Sequence, residues 1–394
     1  MFKKKILLLW VLIFILTTFS ACQTYDNFVA AFITHKSEER STIRIGVYEP
    51  LSGDKKAYGE LEKMGIELAH EVYPTIMGKE VELVYVDNQA DIDTGKTVAR
   101  DLVEKKVSIV LGSYGSVNSL VAAPILEEAK IPAIAITNTN PLVTKSNPYY
   151  SRICFVESFQ GVALAKYAVE QMHITEAGVL FPRGDDRAIA VTKAFSDKYI
   201  QLGGTISLSV EFTSGAEDYT QQLKRFKDQG VRVIFVPANI RDSALIIHQA
   251  KNVRLNCTFL GTDDWEEDDF LYQVAAAGTN VIAFSSLFDA QAGTKETDTF
   301  LRAFRLKYGY DAVPERATVL GYDAYIMARS ALIRAGTVVR GELIMEQLLK
   351  HRDFEGASGL ISFDEIGDPI KSVAIKTVRD KKFTTIYTVV PKWG

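Results

Sequence analysis

Catalytic chemistry finds little to work with in this sequence. The five histidines, His35, His70, His173, His248 and His351, are dispersed, with neither an HExxH pair nor a Cys/His ligand spacing, so no metal site is expected. No G-x-S-x-G elbow occurs, and no serine, histidine and acid suggest a triad. The stretch from Ala90 to Thr97, ADIDTGKT, comes near a phosphate-binding loop. Ala90 replaces its first glycine, however, and two carboxylates sit where backbone amides should cradle phosphate, so Asp93 or Thr94 reads better as a helix N-cap. No cofactor is implied and no enzyme activity is expected. Basic residues are not in excess either. The formal charge is −4, and it falls by three to −7 without Lys3, Lys4 and Lys5. Nothing offers the basic stripe that a nucleic-acid partner requires.

Long apolar runs are also scarce. Ile6 to Leu16 is uninterrupted, but its eleven residues are too few to span ~30 Å of hydrocarbon as a helix. Preceded by Lys3-Lys4-Lys5, it reads as an export signal. Phe19-Ser20-Ala21-Cys22 closes it and resembles the lipobox of bacterial lipoproteins, with Phe19 where Leu is usual. That resemblance implies cleavage before Cys22, acylation of Cys22, and an extracytoplasmic protein held on a membrane at ~0.8 kcal/mol per buried CH₂. Residues 23–42 are polar and unpatterned, as a tether should be. Of the three cysteines only Cys154 and Cys257 then remain. Both lie in strand-like apolar segments, and two separate buried thiols are expected rather than a bridge.

What the chain has in quantity is alternation. With 394 residues, 47% of them hydrophobic, it is long enough for two domains. Strands are expected at Ile43–Tyr48, Val81–Val86, Ser108–Leu111 and Ala133–Ile136, with helices near Leu61–Val72, Thr94–Glu104 and Val117–Ala129. The pattern then restarts, with strands at Ala177–Phe181, Thr205–Val210, Val231–Val236, Thr258–Gly261 and Val281–Phe284. Helices separate most of them, and two more follow at Thr297–Tyr308 and Thr318–Ala335, ahead of a strand-and-turn tail from Gly359 to Val390. Short strands alternating with longer helices predict an α/β protein with doubly wound parallel sheets, here in two lobes with a cleft between them.

The unit Ser108–Thr144 organises the rest. Gly112-Ser113-Tyr114-Gly115-Ser116 and Thr137-Asn138-Thr139-Asn140-Pro141 put hydroxyls and amides at the carboxyl ends of two strands, beside a helix that Ser116 or Asn118 would cap. In open parallel sheets that edge is where ligands bind, and a helix N-terminus favours anions. In the second half Arg187, Asn239 with Arg241, and Gly261-Thr262-Asp263-Asp264-Trp265 follow strands in the same way. An acid beside an aromatic, Asp263 with Trp265, suits an ammonium through a charge-assisted bond and a cation–π contact.

The order of these features resembles the leucine/isoleucine/valine-type, or type 1 periplasmic, substrate-binding proteins of ABC transporters. The landmarks are Pro50-Leu51-Ser52-Gly53 with Tyr58-Gly59, the two clusters just described, Gln160-Gly161, Gly261–Trp265, Gly321-Tyr322-Asp323-Ala324 and Phe363-Asp364-Glu365-Ile366-Gly367-Asp368. The resemblance covers nearly all of Ile43 to Val390. It implies two Rossmann-like lobes joined by three crossings, near Phe155–Ser158, Phe284–Leu287 and Gly356–Ile361. Lobe 1 would hold residues 43–156 and 286–357, and lobe 2 residues 157–285 and 358–394. It also implies an amino acid or analogue as ligand and ABC permease subunits as partners; a sensor of the same fold for an amide, urea or organic acid is the alternative. By position, Ser116, Thr139 and the backbone at Thr137 would grip the ligand's α-carboxylate and part of its ammonium. Asp263 would neutralise the ammonium, and Tyr58 would wall the side-chain pocket. The chain departs from the family at Arg187 and Asn239, where tyrosines are common. A distal polar or acidic group on the ligand is therefore expected, with leucine a poor ligand.

Overall fold

The computed structural model describes residues 41–145, 147–274, 282–286 and 293–389. The export segment, the tether up to residue 40 and Cys22 lie outside them, as do Val281, Leu287 and Val390. In the first lobe, strands β1 (Ile43–Glu49), β2 (Thr75–Ile76), β3 (Lys79–Asp87), β4 (Ile109–Gly112), β5 (Ala133–Ala135) and β6 (Tyr150–Arg152) form one sheet in the order β2-β3-β1-β4-β5-β6. Only the β2–β3 pair is antiparallel. Helices α1 (Lys56–Val72), α2 (Ile92–Glu104) and α3 (Ser116–Glu128) make the crossovers. Strands β4 and β5 are wholly buried, as expected where helices cover both faces of a parallel sheet.

The second lobe begins with α4 (Ser158–Lys166) and continues through β7 (Glu176–Pro182), α5 (Asp186–Gln201), β8 (Thr205–Phe212), α6 (Thr220–Asp228) and β9 (Val233–Phe235). After these come α7 (Ile240–Asn252), β10 (Thr258–Gly261), α8 (Asp268–Val274) and β11 (Ile282–Ser286). The chain then returns to the first lobe for α9 (Lys295–Tyr308), α10 (Arg316–Ala335) and α11 (Gly341–Leu349), whose apolar faces join the core around Ile45, Val47 and Leu111. Helices α1 and α10 cross without side chains between them. A Cβ on Gly65 would lie 1.9 Å from the Thr318 carbonyl oxygen, and one on Gly321 would lie 2.1 Å from the Glu62 carbonyl oxygen. The two-lobed, doubly wound α/β architecture is the one expected.

The last passage between lobes comes later than the sequence suggests. Strands β12 (Phe354–Gly356), β13 (Gly359–Phe363) and β14 (Pro369–Lys371) form a small sheet of their own, and Ala357, Ile361 and Phe363 sit in the first lobe's core. The reason is Asp323 in the middle of α10. Its carboxylate accepts the Ala357 amide at 2.5 Å and the Ser358 amide at 3.0 Å, and the Lys371 ammonium reaches the Ser358 hydroxyl. These bonds strap the segment to lobe 1, so the chain enters the second sheet at β15 (Val373–Arg379) and ends it with β16 (Lys382–Val389). That sheet runs β16-β15-β11-β10-β9-β7-β8, with β15 and β16 antiparallel to their neighbours.

Two expected caps are also displaced. Gly115, at φ 86, precedes α3, so Ser116 is its first residue, and Asn118 is buried within the helix. Asp91, not Asp93 or Thr94, caps α2, its side chain accepting the Thr94 amide at 2.8 Å. Cys154 and Cys257 are separate buried thiols, each pushed up to about 12 by burial. Among the described residues no helix is long and apolar enough to cross a membrane.

Candidate functional site

Strand order reverses at β1/β4 in one sheet and at β7/β9 in the other, and in such sheets the crevice opens beyond the carboxyl ends of the strands. Two adjoining cavities lie there. The inner one, about 260 Å³, is lined from lobe 1 by Thr137, Thr139 and Arg316 and from lobe 2 by Gln160, Arg187 and Asp263. The outer one, about 670 Å³, is walled by Tyr58, Arg187, Asn239, Arg241, Asp264 and Glu267 above a floor that includes Val191 and Ile240. Arg187 and Asp264 belong to both and form the partition.

The hydroxyl wall is held from behind. Thr137 and Thr139 follow β5, and the carbonyls beside Thr139 are taken by Arg152 at the end of β6: Nη1 donates to Asn138 O at 3.0 Å and Asn140 O at 2.8 Å. Nη2 reaches Pro141 O at 3.2 Å, and Nε donates to Asp368 at 2.6 Å. The Asn140 amide donates to Ser116 Oγ at 3.3 Å, so Ser116 ties the α3 start to the same loop and lines neither cavity. The Thr137 hydroxyl donates to Glu62 on α1. Glu62 and Glu49 are both fully buried and act on one another electrostatically, and Glu49 Oε1 and Glu62 Oε2 are buried without another hydrogen-bond partner among the described residues. Burial pushes Glu62 up to about 7; it raises Glu49 well above the carboxylate range, with the neighbouring Glu62 charge adding to the rise. Gly112 leaves room for this pair, since its φ is 110 and a Cβ there would meet Glu49 Oε1 at 2.3 Å.

Lobe 2 supplies most of the charge. Asp263 opens the short turn Asp263–Trp265 after β10 and is held by Gln160 at both ends. Gln160 Nε2 donates to Asp263 Oδ1 at 2.7 Å, and the Asp263 amide donates to Gln160 Oε1 at 2.9 Å. Across the cleft Asp263 pairs with Arg316, the first residue of α10. Arg187 pairs with Glu157 and, at 2.8 Å, with Asp264. Burial works against the Arg187 charge, but those two acids outweigh it and hold the guanidinium firmly protonated. Glu157 is raised by its own burial, with Arg187 opposing. Asp185 instead caps α5, accepting the Ala188 amide at 2.9 Å.

Thr137, Thr139, Arg187 and Asp263 thus meet in one cavity, and Tyr58 and Asn239 wall the next. Tyr58 stacks on Tyr114 with centroids 4.7 Å apart, and Asn239 also caps α7. Trp265 is a correction. The turn that points Asp263 at the cleft swings Trp265, two residues on, into the lobe 2 core, where it is fully buried. Its indole donates to Ser243 Oγ at 3.0 Å, and glycine at position 261 is what admits the ring, since a Cβ there would lie 2.2 Å from it. Sequence reasoning missed Arg316, Glu157 and the Glu49–Glu62 pair. In the sequence Gln160 stands out only as a landmark.

The chain is similar to several known proteins. A leucine-binding protein from Thermotoga maritima is 32% identical, with a TM-score of 0.70, over 89% of this chain and 99% of that one. A branched-chain amino-acid transporter substrate-binding protein from Streptococcus pneumoniae, solved with isoleucine, is 28% identical with a TM-score of 0.68, over 89% of this chain and all of that one. A Leu/Ile/Val-binding protein homolog from Brucella abortus is 27% identical over 335 residues, 83% of this chain and 87% of its own length. Residues 42–382 match the family model for periplasmic binding proteins, and the chain belongs to that family.

Proposed function

We propose that this protein is an extracytoplasmic, lipid-anchored solute-binding protein that captures an amino acid or a close polar relative between its lobes and delivers it to an ABC permease. The observation that carries the reading is the inner cavity, where hydroxyls and a guanidinium from one lobe face a fixed carboxylate from the other. That set matches the two charges of a zwitterion, and relatives named for leucine, isoleucine and valine binding place the same fold in amino-acid transport. The outer cavity takes the side chain. Its polar wall of Arg187, Asn239 and Asp264 favours a distal polar group, and because Arg187 already serves two carboxylates, a neutral one fits better than an acidic one.

A thermal-shift screen of the twenty common L-amino acids against the full chain in detergent tests this. A ligand at 100 times its dissociation constant adds ~2.7 kcal/mol, and glutamine is expected to outrank leucine. A screen without any stabilising amino acid would end the amino-acid reading, and leucine ranked first would end the polar-side-chain reading alone. Anchoring rests on the lipobox-like Phe19-Ser20-Ala21-Cys22, which lies outside the described residues. Cys22→Ala is expected to abolish incorporation of labelled palmitate, and labelling that survives the change would remove the anchor.

A further inference from the structure

We propose that Arg316 determines specificity by receiving the ligand's α-carboxylate while Asp263 receives its ammonium, the zwitterion taking over the ion pair that these two side chains make with each other. The inference rests on the amino-acid reading above and assigns a charge partner that the strand-end clusters do not supply.

The two residues differ in how firmly they are held. Asp263 is fixed, because Gln160 grips both its carboxylate and its amide. Gln160 is in turn oriented by the Ser285 hydroxyl, which donates to the same Oε1 at 2.6 Å. With that oxygen occupied twice, the Gln160 amide nitrogen has its donor aimed at Asp263. Only 6% of the Asp263 side chain is exposed, against 44% of Arg316, so the guanidinium is the partner that an incoming group reaches and moves. Arg187, the other cation on this cavity, is committed to Glu157 and Asp264 and reaches Asp263 Oδ1 only at 3.9 Å. Among the described residues Arg316 has one acidic partner, Asp263, and the crossing of α1 and α10 at Gly65 and Gly321 sets its helix beside the Thr137 wall.

The selectivity follows from what each wrong ligand leaves behind. An amine without a carboxylate would take Asp263 and strand Arg316 in a partly desolvated cleft. A carboxylate without an amine would take Arg316 and leave Asp263 with only the distant Arg187 guanidinium, at 3.9 Å, for a counter-charge. Stranding a desolvated charge is costly, so the pair rejects both, whereas a zwitterion satisfies both charges at once. A guanidinium also meets a carboxylate through two parallel N–H donors, which an ammonium does not.

Calorimetry on the full chain tests this with L-leucine, L-glutamine and L-glutamate, each against its α-amide: leucinamide, glutaminamide and isoglutamine. For the acid that binds best, the wild type is expected to prefer the free acid over the α-amide by about 30-fold or more, the scale of a lost charge-assisted bond. Arg316→Gln is expected to weaken the free acid by ~10- to 100-fold, leave the amide as tight as before or tighter, because no guanidinium is then stranded, and abolish the preference for the acid. Arg316→Lys should retain part of the preference. The assignment is overturned if the wild type does not separate acid from amide. It is equally overturned if Arg316→Gln keeps the preference, or weakens acid and amide alike, which would make Arg316 only a strut between lobes. Should the wild type bind none of the three acids and none of the amides, the amino-acid reading falls and the assignment with it. That result differs from one in which amino acids bind but Arg316 is silent.

Discussion

Replacing Arg152 with alanine is expected to cost the fold roughly 3–5 kcal/mol, the penalty for breaking a buried ion pair from one side. Arg152 is fully buried at the end of β6, and each of its three guanidinium nitrogens is used: Asp368 on Nε, the carbonyls of Asn138 and Asn140 on Nη1, and Pro141 O with the Thr144 hydroxyl on Nη2. Alanine would leave Asp368 without its counter-charge, and the loop that carries Thr139 would lose its backbone acceptors' only shared donor in this network. Two effects should therefore appear together. Denaturant titration should show the loss of stability, and ligand affinity should fall because Thr139 sits between two of the released carbonyls. Arg152→Lys keeps the charge but not the fork, so it should fall between. The double change Arg152→Ala with Asp368→Ala should recover part of the loss by removing the stranded carboxylate. A single alanine variant within ~1 kcal/mol of wild type would show that the loop is held by something else.

Much of this site was legible before the fold was known, and the reasons differ residue by residue. Thr137, Thr139, Arg187, Asn239 and Asp263 each follow a short apolar strand, and the parallel sheets bring the carboxyl ends of those strands to one edge. Arg316 offers no such signal. It opens a helix far down the chain and reaches the cleft only because α1 and α10 cross closely enough to set that helix end beside Thr137. Glu49 and Glu62 were hidden for a different reason. Adjacent to Pro50, Glu49 looks like a turn residue, and Glu62 on a helix looks solvated. Their burial depends on Gly112 and Gly321, whose missing side chains leave the space. Trp265 shows the converse failure. Nearness in sequence to a cleft acid says nothing of direction when a tight turn rotates the second residue inward. The last interlobe passage moved for a similar cause. Alternation marks strands, but it does not reveal that Asp323 straps residues 357 and 358 to α10.

The buried acid pair should make stability fall with rising pH, and Glu62→Gln should remove most of that fall. In the folded protein burial pushes Glu62 up to about 7 and raises Glu49 well above the carboxylate range, because it disfavours their charged forms. In the unfolded chain both are ordinary carboxyls near 4.3. Between those limits the folded state binds more protons than the unfolded one, so stability declines as pH rises. The contribution is complete below the unfolded value and is lost through the folded value. For Glu62 alone, the passage from pH 5 to pH 8 should cost about 2.5 kcal/mol, an order-of-magnitude figure from that shift. Glutamine preserves what the site needs: its carbonyl can accept the Thr137 hydroxyl, and its amide can donate to Glu49. It removes a titrating group and also the like charge that helps to raise Glu49. Urea titrations at pH 5 and pH 8 on both proteins cancel the contributions of groups common to the two. The wild type is expected to lose about 2–3 kcal/mol more than Glu62→Gln over that interval. Equal losses would mean that Glu62 is already ionised at pH 5, and a protonated Glu62 carboxyl beneath Thr137 would have to be given up. The same comparison carries over to binding. Glu62 accepts from Thr137, so the charge that arrives as Glu62 ionises reaches the hydroxyl wall directly, and Glu62→Gln should flatten any loss of ligand affinity between pH 6 and pH 8.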